Sequence, residues 1–369
     1  MSCNHPLKAW PVGITAAGKT QYKITSFSVN HLEKRNGVWY PITEEYISPY
    51  NDGFRTEYVQ IPCGKCIGCR LDYSKQWANR LMLEAQYHDE AYFVTLTYDD
   101  AYVPLTYYDD PDTGEALQAM TLRKRDVQLF MKRLRKWNDG RVDKMGVSSG
   151  GNSLRYFCSG EYGSHTFRPH YHLIIFGLHL DDLVFYKFNE LNQPYYTSET
   201  LESIWAVRNP ERGVLSPLIN KSRIGIVVVA KVTYETCAYT ARYTAKKNNT
   251  ESDDFFERFN MEKPFTLMSR RPGIGRQYYD DHPDMFDYTT LNIPTSDGGK
   301  KVAIPKYFQN LYDVDYPEES QKLKDIRKRM AIMKNELVLK NTDLDYESYL
   351  QVVENGLINR TKILERSDI

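Results

Sequence analysis

Two histidines one residue apart, His170 and His172, lie in the ten-residue stretch Arg168-Pro-His-Tyr-His-Leu-Ile-Ile-Phe-Gly177. Successive side chains of a strand point to opposite faces, so the two imidazoles project together while Tyr171 points away. Two imidazoles on one face can converge on one cation. The apolar run Leu173 to Phe176 predicts a strand buried on both faces, and Pro169 belongs at its start, where a missing N–H costs least. Two histidines hydrogen-bonded at a strand end would read the same way, so partners elsewhere must decide. Leu154 to Glu161 also has strand character, and the turn at Gly163 to Phe167 predicts antiparallel pairing with the histidine strand. Glu161 then joins His170 and His172. Two neutral imidazoles and one carboxylate leave open positions on Mg2+ or Mn2+, suited to polarising a phosphate. His165, in the turn, is a weaker alternative ligand.

A second constellation is Cys237-Ala-Tyr-Thr-Ala-Arg-Tyr-Thr-Ala-Lys-Lys247, at helical spacing. With Tyr239 at zero and about 100° per residue, Arg242 falls near ~300°, Tyr243 near ~40° and Lys246 near ~340°. Two tyrosines and two cations share one face. Tyrosines at this spacing commonly pack a core, but cations beside them argue against a purely apolar stripe. A phenolic oxygen can attack phosphorus to form a phosphotyrosine ester when nearby cations neutralise the phosphate charge. Arg242 and Lys246 would supply that charge.

The third cluster is Cys63-x2-Cys66-x2-Cys69, with glycines between that permit tight turns. In an intracellular protein this spacing favours metal over disulfides, and zinc with four tetrahedral ligands above iron–sulfur. Three ligands are present in the run. The fourth is Cys3 or His5, either of which would pin the N-terminus onto the knuckle. Cys158 and Cys237 have apolar neighbours and read as core residues.

The elements that must position these groups follow from periodicity. Leu71 to His88 and Thr121 to Trp137 have helical spacing; Ala91 to Tyr98 and Ile224 to Val232 are rich in β-branched and aromatic residues; Tyr234 to Lys247 returns to helical spacing. This order predicts an α+β fold, a central antiparallel sheet with helices packed on it. Residues 6 to 60 read as a small β-rich lead-in, 99 to 119 as a surface excursion, and 180 to 212 as mixed, with one short helix near Leu201 to Val207. Helix 121–137 carries a one-signed basic face suited to phosphate backbone, and Ser269-Arg-Arg-Pro-Gly-Ile-Gly-Arg276 is a basic glycine loop that suits either phosphate or a tight turn. Pro317 to Lys340 and Tyr346 to Arg366 read as charged helices. The divisions expected are 1–90 with the cysteine knuckle and a linking helix, 91–250 as the core, and 251–369 with the basic loop and a helical tail.

The chain has 369 residues, with Lys plus Arg equal to Asp plus Glu at 48 each, so nucleic-acid binding must come from local patches. The longest apolar runs fall far short of the roughly 20 residues that span a bilayer, and no signal-peptide pattern opens the chain. A soluble intracellular protein is expected.

These residues resemble the HUH endonucleases, named for His-hydrophobic-His, which start rolling-circle replication. Ala91 to Tyr98 looks like the family's first strand motif, Pro169 to Phe176 like its metal motif, and Tyr239-x3-Tyr243-x2-Lys246 like its two-tyrosine helix. With the cysteine knuckle and Ser-Arg-Arg-Pro-Gly-Ile-Gly, the combination resembles the replication initiators of gokushovirus-type microviruses, small single-stranded DNA phages. It covers about 63 to 276. The resemblance implies the HUH nuclease fold and a protein that binds single-stranded and supercoiled origin DNA, nicks one strand of the double-stranded circular intermediate, stays on its 5′ phosphate and later reseals a unit-length circle, with a host helicase and polymerase following the nick in the bacterial cytoplasm. Arg242 stands where a lysine is common, and Tyr171 is less apolar than the usual middle residue. Competing readings are a transposase or relaxase with the same metal strand, and a zinc-stapled nucleic-acid-binding protein without chemistry.

Overall fold

A computed structural model describes residues 3–362 apart from 17, 19, 111, 112, 146–153, 164, 165, 190, 191, 209–220, 247–249, 296 and 297. The weaker candidate ligand His165 lies outside the described residues. The chain divides into two compact units, one of residues 1–72 with 321–366, the other of 73–320. The division falls between residues 72 and 73. No described helix is long and apolar enough to cross a membrane.

The larger unit is built on a sheet of seven strands, in the order Leu183–Phe188, Pro194–Ser198, Val227–Lys231, Ala91–Leu96, Pro169–Phe176, Arg155–Tyr162 and Phe265–Met268. Every neighbouring pair is antiparallel. Alternation sorts its side chains into two layers. Tyr171, Leu173 and Ile175 face one side with Val94, Leu96, Val227 and Val229, against Val127, Phe130, Met131 and Leu134 of the helix Lys124–Met145. Ile174 and Phe176 face the other with Phe93, Phe157 and Val228, against Trp77, Ala78 and Leu81 of the first helix and Cys237 and Ala241 of the helix Tyr234–Lys246. The fold is therefore α+β, with helices on both faces of an antiparallel sheet. Gly225 sits where the chain enters Val227–Lys231: a Cβ there would lie 1.9 Å from the Thr97 carbonyl oxygen, so only glycine fits.

Several elements differ from expectation. The excursion after residue 99 contains a hairpin, Leu105–Asp109 with Ala116–Met120. The mixed stretch supplies two sheet strands, Leu183–Phe188 and Pro194–Ser198, before the short helix Glu199–Ile204. Beyond residue 251, where sheet signals fade, Phe265–Met268 closes one edge of the sheet. These segments are short or polar on one side, and sheet pairing rather than local pattern makes them strands.

The smaller unit holds two three-stranded sheets, Thr20–Thr25/Leu7–Ile14/Val59–Ile61 and Val38–Ile42/His31–Arg35/Gly53–Arg55. Trp10, Val29 and Leu32 form its small core, with Trp39 and Tyr58 partly buried against it. Helix Tyr346–Lys362 belongs to this unit: Gln60 donates to the Tyr346 hydroxyl at 2.8 Å, and Phe27 meets the Tyr346 ring. The helix Pro317–Lys340 leaves Ile326, Met330, Met333 and Leu337 exposed.

Candidate metal and tyrosine site

The histidine strand pairs with Arg155–Tyr162 in a register that sets Glu161 opposite His170 and Ser159 opposite His172. On its other side, Thr95 stands opposite His172. Directly opposed residues share a face, so Glu161, His170, His172 and Thr95 all project into the layer beneath Tyr234–Lys246. Nε2 of His172 lies 2.8 Å from Glu161 Oε1, and Nε2 of His170 lies 3.3 Å from the same oxygen. Glu161 and His172 are buried; the His170 side chain keeps 20% exposure. The site thus opens to solvent on the His170 side.

Hydrogen bonds at the far ring nitrogens aim the imidazoles. His170 Nδ1 lies 3.1 Å from the Arg168 carbonyl, which can only accept, so Nδ1 carries the proton and Nε2 keeps a lone pair. His172 Nδ1 lies 3.0 Å from the Thr95 hydroxyl, which can accept from it and leave Nε2 as the ligating atom. Burial lowers the His172 pKa, against the opposing pull of Glu161. An ionised carboxylate and a neutral imidazole are the forms that bind a hard divalent cation. Glu161 Oε1 is buried and accepts no aligned hydrogen bond. A buried carboxylate oxygen so placed costs stability unless something else meets it, and a divalent ion between it and the two Nε2 atoms fits that need.

Tyr239 comes to this site from the helix. Its ring lies 5.0 Å from that of His172 and 6.2 Å from Phe93, while Phe93 stacks on His172 at 5.4 Å. The helix starts at a reciprocal cap, with Thr236 N–H donating to the Thr233 hydroxyl and Thr233 N–H to the Thr236 hydroxyl. It is fixed from the outside by Ser74, donating to the Ala241 carbonyl, and by Tyr234, donating to Asn79. Arg242 and the backbones of Tyr243 and Lys246 lie in the same helix, with Tyr243 one turn beyond Tyr239.

Two basic segments lie elsewhere. Helix Lys124–Met145 covers the opposite face of the sheet from the histidines. Part of its basic face is used internally, Lys124 against Glu262 at 2.8 Å and Arg133 donating to the Ala206 carbonyl. The glycine loop 269–276 follows Phe265–Met268 at the Arg155 end of the strands, roughly 20 Å along the sheet from Glu161 at about 3.3 Å per residue. Three of its amides are taken: Ser269 N–H donates to the Tyr156 carbonyl, Gly275 N–H to Glu84 at 2.6 Å and Arg276 N–H to the Gly273 carbonyl. Arg80 and Arg155 donate to the Ile274 and Pro272 carbonyls. The loop is a tight turn bolted to the first helix.

In the smaller unit, the sulfurs of Cys3, Cys63, Cys66 and Cys69 all lie within 4.8 Å of one another. Cys63 and Cys69 sulfurs are 4.0 Å apart and Cys3 and Cys66 sulfurs 3.9 Å, near the ~3.8 Å edge of a tetrahedron with 2.3 Å zinc–sulfur bonds. Four backbone N–H groups point at these sulfurs: Asn4 at Cys66, Cys63 at Cys3, and Lys65 and Cys66 at Cys63. Burial pushes the Cys66 thiol up, but N–H donors and neighbouring thiols outweigh it and bring the pKa down to about 7, whereas burial prevails at Cys3, pushed up to about 11, and at Cys69, also raised. Such donors suit thiolates held by a metal. His5, the alternative fourth ligand, instead pairs with Glu354 at 2.7 Å.

Thr95 went unread in the sequence. Its signal was there, since it alternates onto the same face as Phe93, but only the register identifies His172 as its partner.

Residues 91–248, which carry the sheet centre, the histidine strand and the tyrosine helix, match a family model of replication-associated proteins of the ORF2 type. The chain is 31% identical over 263 residues to replication-associated protein VP4 of Bdellovibrio phage phiMH2K, covering 70% of this chain and 69% of that one. It is 27% identical over 367 residues to replication-associated protein ORF2 of Spiroplasma virus 4, covering 98% and 97%. The chain belongs to this family of phage replication-associated proteins and is a replication initiator of the gokushovirus type. No solved structure gives a significant match.

Proposed function

We propose that the protein is an HUH-type, metal-dependent single-strand DNA endonuclease and strand transferase that initiates and terminates rolling-circle replication through a 5′-phosphotyrosine. The observation that carries this is the Tyr239 ring against His172, on the face where Glu161, His170 and His172 converge. Those three residues would hold Mg2+ or Mn2+, which supplies positive charge to a non-bridging phosphate oxygen and makes phosphorus more electrophilic. A tyrosine hydroxyl gives up its proton and its oxygen attacks the scissile phosphorus. The bond to the 3′ oxygen breaks, that oxygen takes a proton, and the 5′ phosphate remains esterified to tyrosine. Arg242 and Lys246 offset the charge that accumulates on the phosphate. After a round of synthesis from the 3′ hydroxyl, the second tyrosine of the pair Tyr239 and Tyr243 cuts the regenerated origin, and the released 3′ hydroxyl attacks the first ester to close the circle. Ester energy is conserved, so sealing needs no ATP. Cys3, Cys63, Cys66 and Cys69 would hold a structural zinc, which would tie the N-terminus to the cysteine turn. Single-stranded and supercoiled origin DNA are the substrates, with host helicase and polymerase following in the bacterial cytoplasm.

The test is nicking of supercoiled circular phage DNA with Mg2+ or Mn2+, followed by mass spectrometry of tyrosine–oligonucleotide adducts. The expected adduct lies on Tyr239 or Tyr243; each single Phe variant keeps some nicking of single-stranded origin but loses repeated circle release, and the double variant forms none. An adduct persisting in the double variant sinks the assignment.

A further inference from the structure

The helix Pro317–Lys340 carries large apolar side chains that the fold leaves in water. Ile326 is 47% exposed, Met330 59%, Met333 62% and Leu337 59%, and Leu323 is half-buried. The five recur at alternating spacings of three and four residues, so at about 100° per residue they fall within about 80° of one another. That is the a/d seam of a coiled coil, with Leu323, Met330 and Leu337 at a and Ile326 and Met333 at d. Ile332 is also exposed but lies off the seam. The half-buried Asn335, Val338 and Leu339 are on the part of the helix turned away from it. The helix end is fixed by Asn341, whose N–H donates to the Val338 carbonyl at 3.1 Å and whose side chain donates to the Leu337 carbonyl at 2.9 Å. The seam is thus a formed helix face turned to solvent.

Charge decides what can cover it. The positions flanking the seam, e and g, are Lys322, Arg327, Arg329, Lys334 and Glu336. Four are cations, and among the described residues no ion pair claims any of the four. Asp325, the one acid between Lys322 and Lys334, accepts from Gln321 instead. A second copy laid parallel would set Lys322 against Arg327 and Arg329 against Lys334. Laid antiparallel, it would still set e against e, cation on cation. Phosphate would meet the cations but leave the apolar seam in water. An apolar stripe flanked by carboxylates satisfies both. We propose that the face holding Leu323, Ile326, Met330, Met333 and Leu337 docks an acidic amphipathic helix of a partner protein, one with its own apolar a/d stripe and Asp or Glu beside it. This goes beyond the nuclease reading and stands independently of it.

The experiment measures anisotropy of a fluorescein-labelled, designed 28-residue peptide, four heptads with Leu at a and d and Glu at e and g, as the full-length protein is added. The same peptide with Lys at e and g is the control. The acidic peptide is expected to bind about 10-fold tighter than the basic one, or better. The double variant Met330→Gln/Met333→Gln should lose about 10-fold or more of that affinity, and the triple variant Arg327→Glu/Arg329→Glu/Lys334→Glu should invert the preference between the two peptides. These positions lie at the surface, so the melting temperature should stay at the wild-type value. Equal binding of the two peptides, or binding of neither, overturns the proposal and leaves the nuclease reading standing. Sedimentation of the wild type as a dimer that the double variant makes monomeric also overturns it, giving the face to a second copy. So does a 20-base-pair DNA duplex that loses affinity in both variants while the acidic peptide does not.

Discussion

Two buried carboxylates sit on one face of the same strand system, and their surroundings differ. Glu84, on the first helix, is met by Arg155, by the Gly275 N–H at 2.6 Å and by His88 at 3.4 Å. Glu161, six residues along the strand from Arg155, faces two imidazoles, and one of its oxygens accepts no aligned hydrogen bond. Both are 3% exposed, so burial does not separate them. What separates them is satisfaction. A carboxylate surrounded by a guanidinium and a backbone donor is architecture, here bolting the glycine loop to a helix; one that faces imidazole nitrogens has the donor set a divalent cation would use.

Substitution turns that contrast into opposite outcomes. Glu84→Gln leaves Arg155 buried without its counter-charge, and equilibrium unfolding should show a loss of about 3 kcal/mol or more, with Mn2+ affinity unchanged. Glu161→Gln should reverse the pattern: Mn2+ affinity, read by calorimetry, falls about 100-fold or more, while stability in EDTA holds or rises. If Glu161→Gln unfolds the protein and Glu84→Gln releases metal, the two roles have been exchanged.

Thr95→Val removes the hydroxyl beside His172 Nδ1 at nearly constant volume, so Mn2+ affinity should fall about 10- to 100-fold with the fold intact. An unchanged affinity would show that the ring is held by packing against Phe93 alone. Acid should touch Glu84 more gently. Burial would raise its pKa, but His88, the Gly275 N–H and Arg155 outweigh this and lower it. A depressed carboxyl contributes stability that is fully present above its unfolded value, near ~4.3, and lost as pH falls through the folded value. Unfolding of wild type should therefore steepen below about pH 4.3, and Glu84→Gln should flatten that limb. The smallest effect is expected at His5, which pairs with Glu354 at the surface: His5→Ala should leave zinc content at wild type, whereas Cys3→Ala should lower it.

Much of the site is local information. Period-two alternation alone put His170 and His172 on one face and Tyr171 on the other, because a strand leaves a side chain only two choices. Helical spacing likewise put Tyr239 and Tyr243 one turn apart, and the cysteine run needed only short turns to gather three sulfurs. A single hairpin then brought Glu161 opposite His170. Each of these follows from steric rules acting over a few residues.

What spacing could not supply is which elements meet across the chain. Nothing in Ala91–Leu96 says that it pairs with the histidine strand in the register that sets Thr95 on His172. Nothing in Phe265–Met268 marks it as the sheet's edge strand, and nothing in the basic glycine loop says that its Gly275 amide is spent on Glu84. Cys3 rather than His5 completes the sulfur cluster because Asn4 binds Cys66 Sγ and the Gly68 amide, while helix Tyr346–Lys362 engages His5. Residue order along a segment settles which side chains can share a face. Which faces meet is settled by packing, since strand pairing and helix docking depend on burial and hydrogen bonding between segments far apart in the chain.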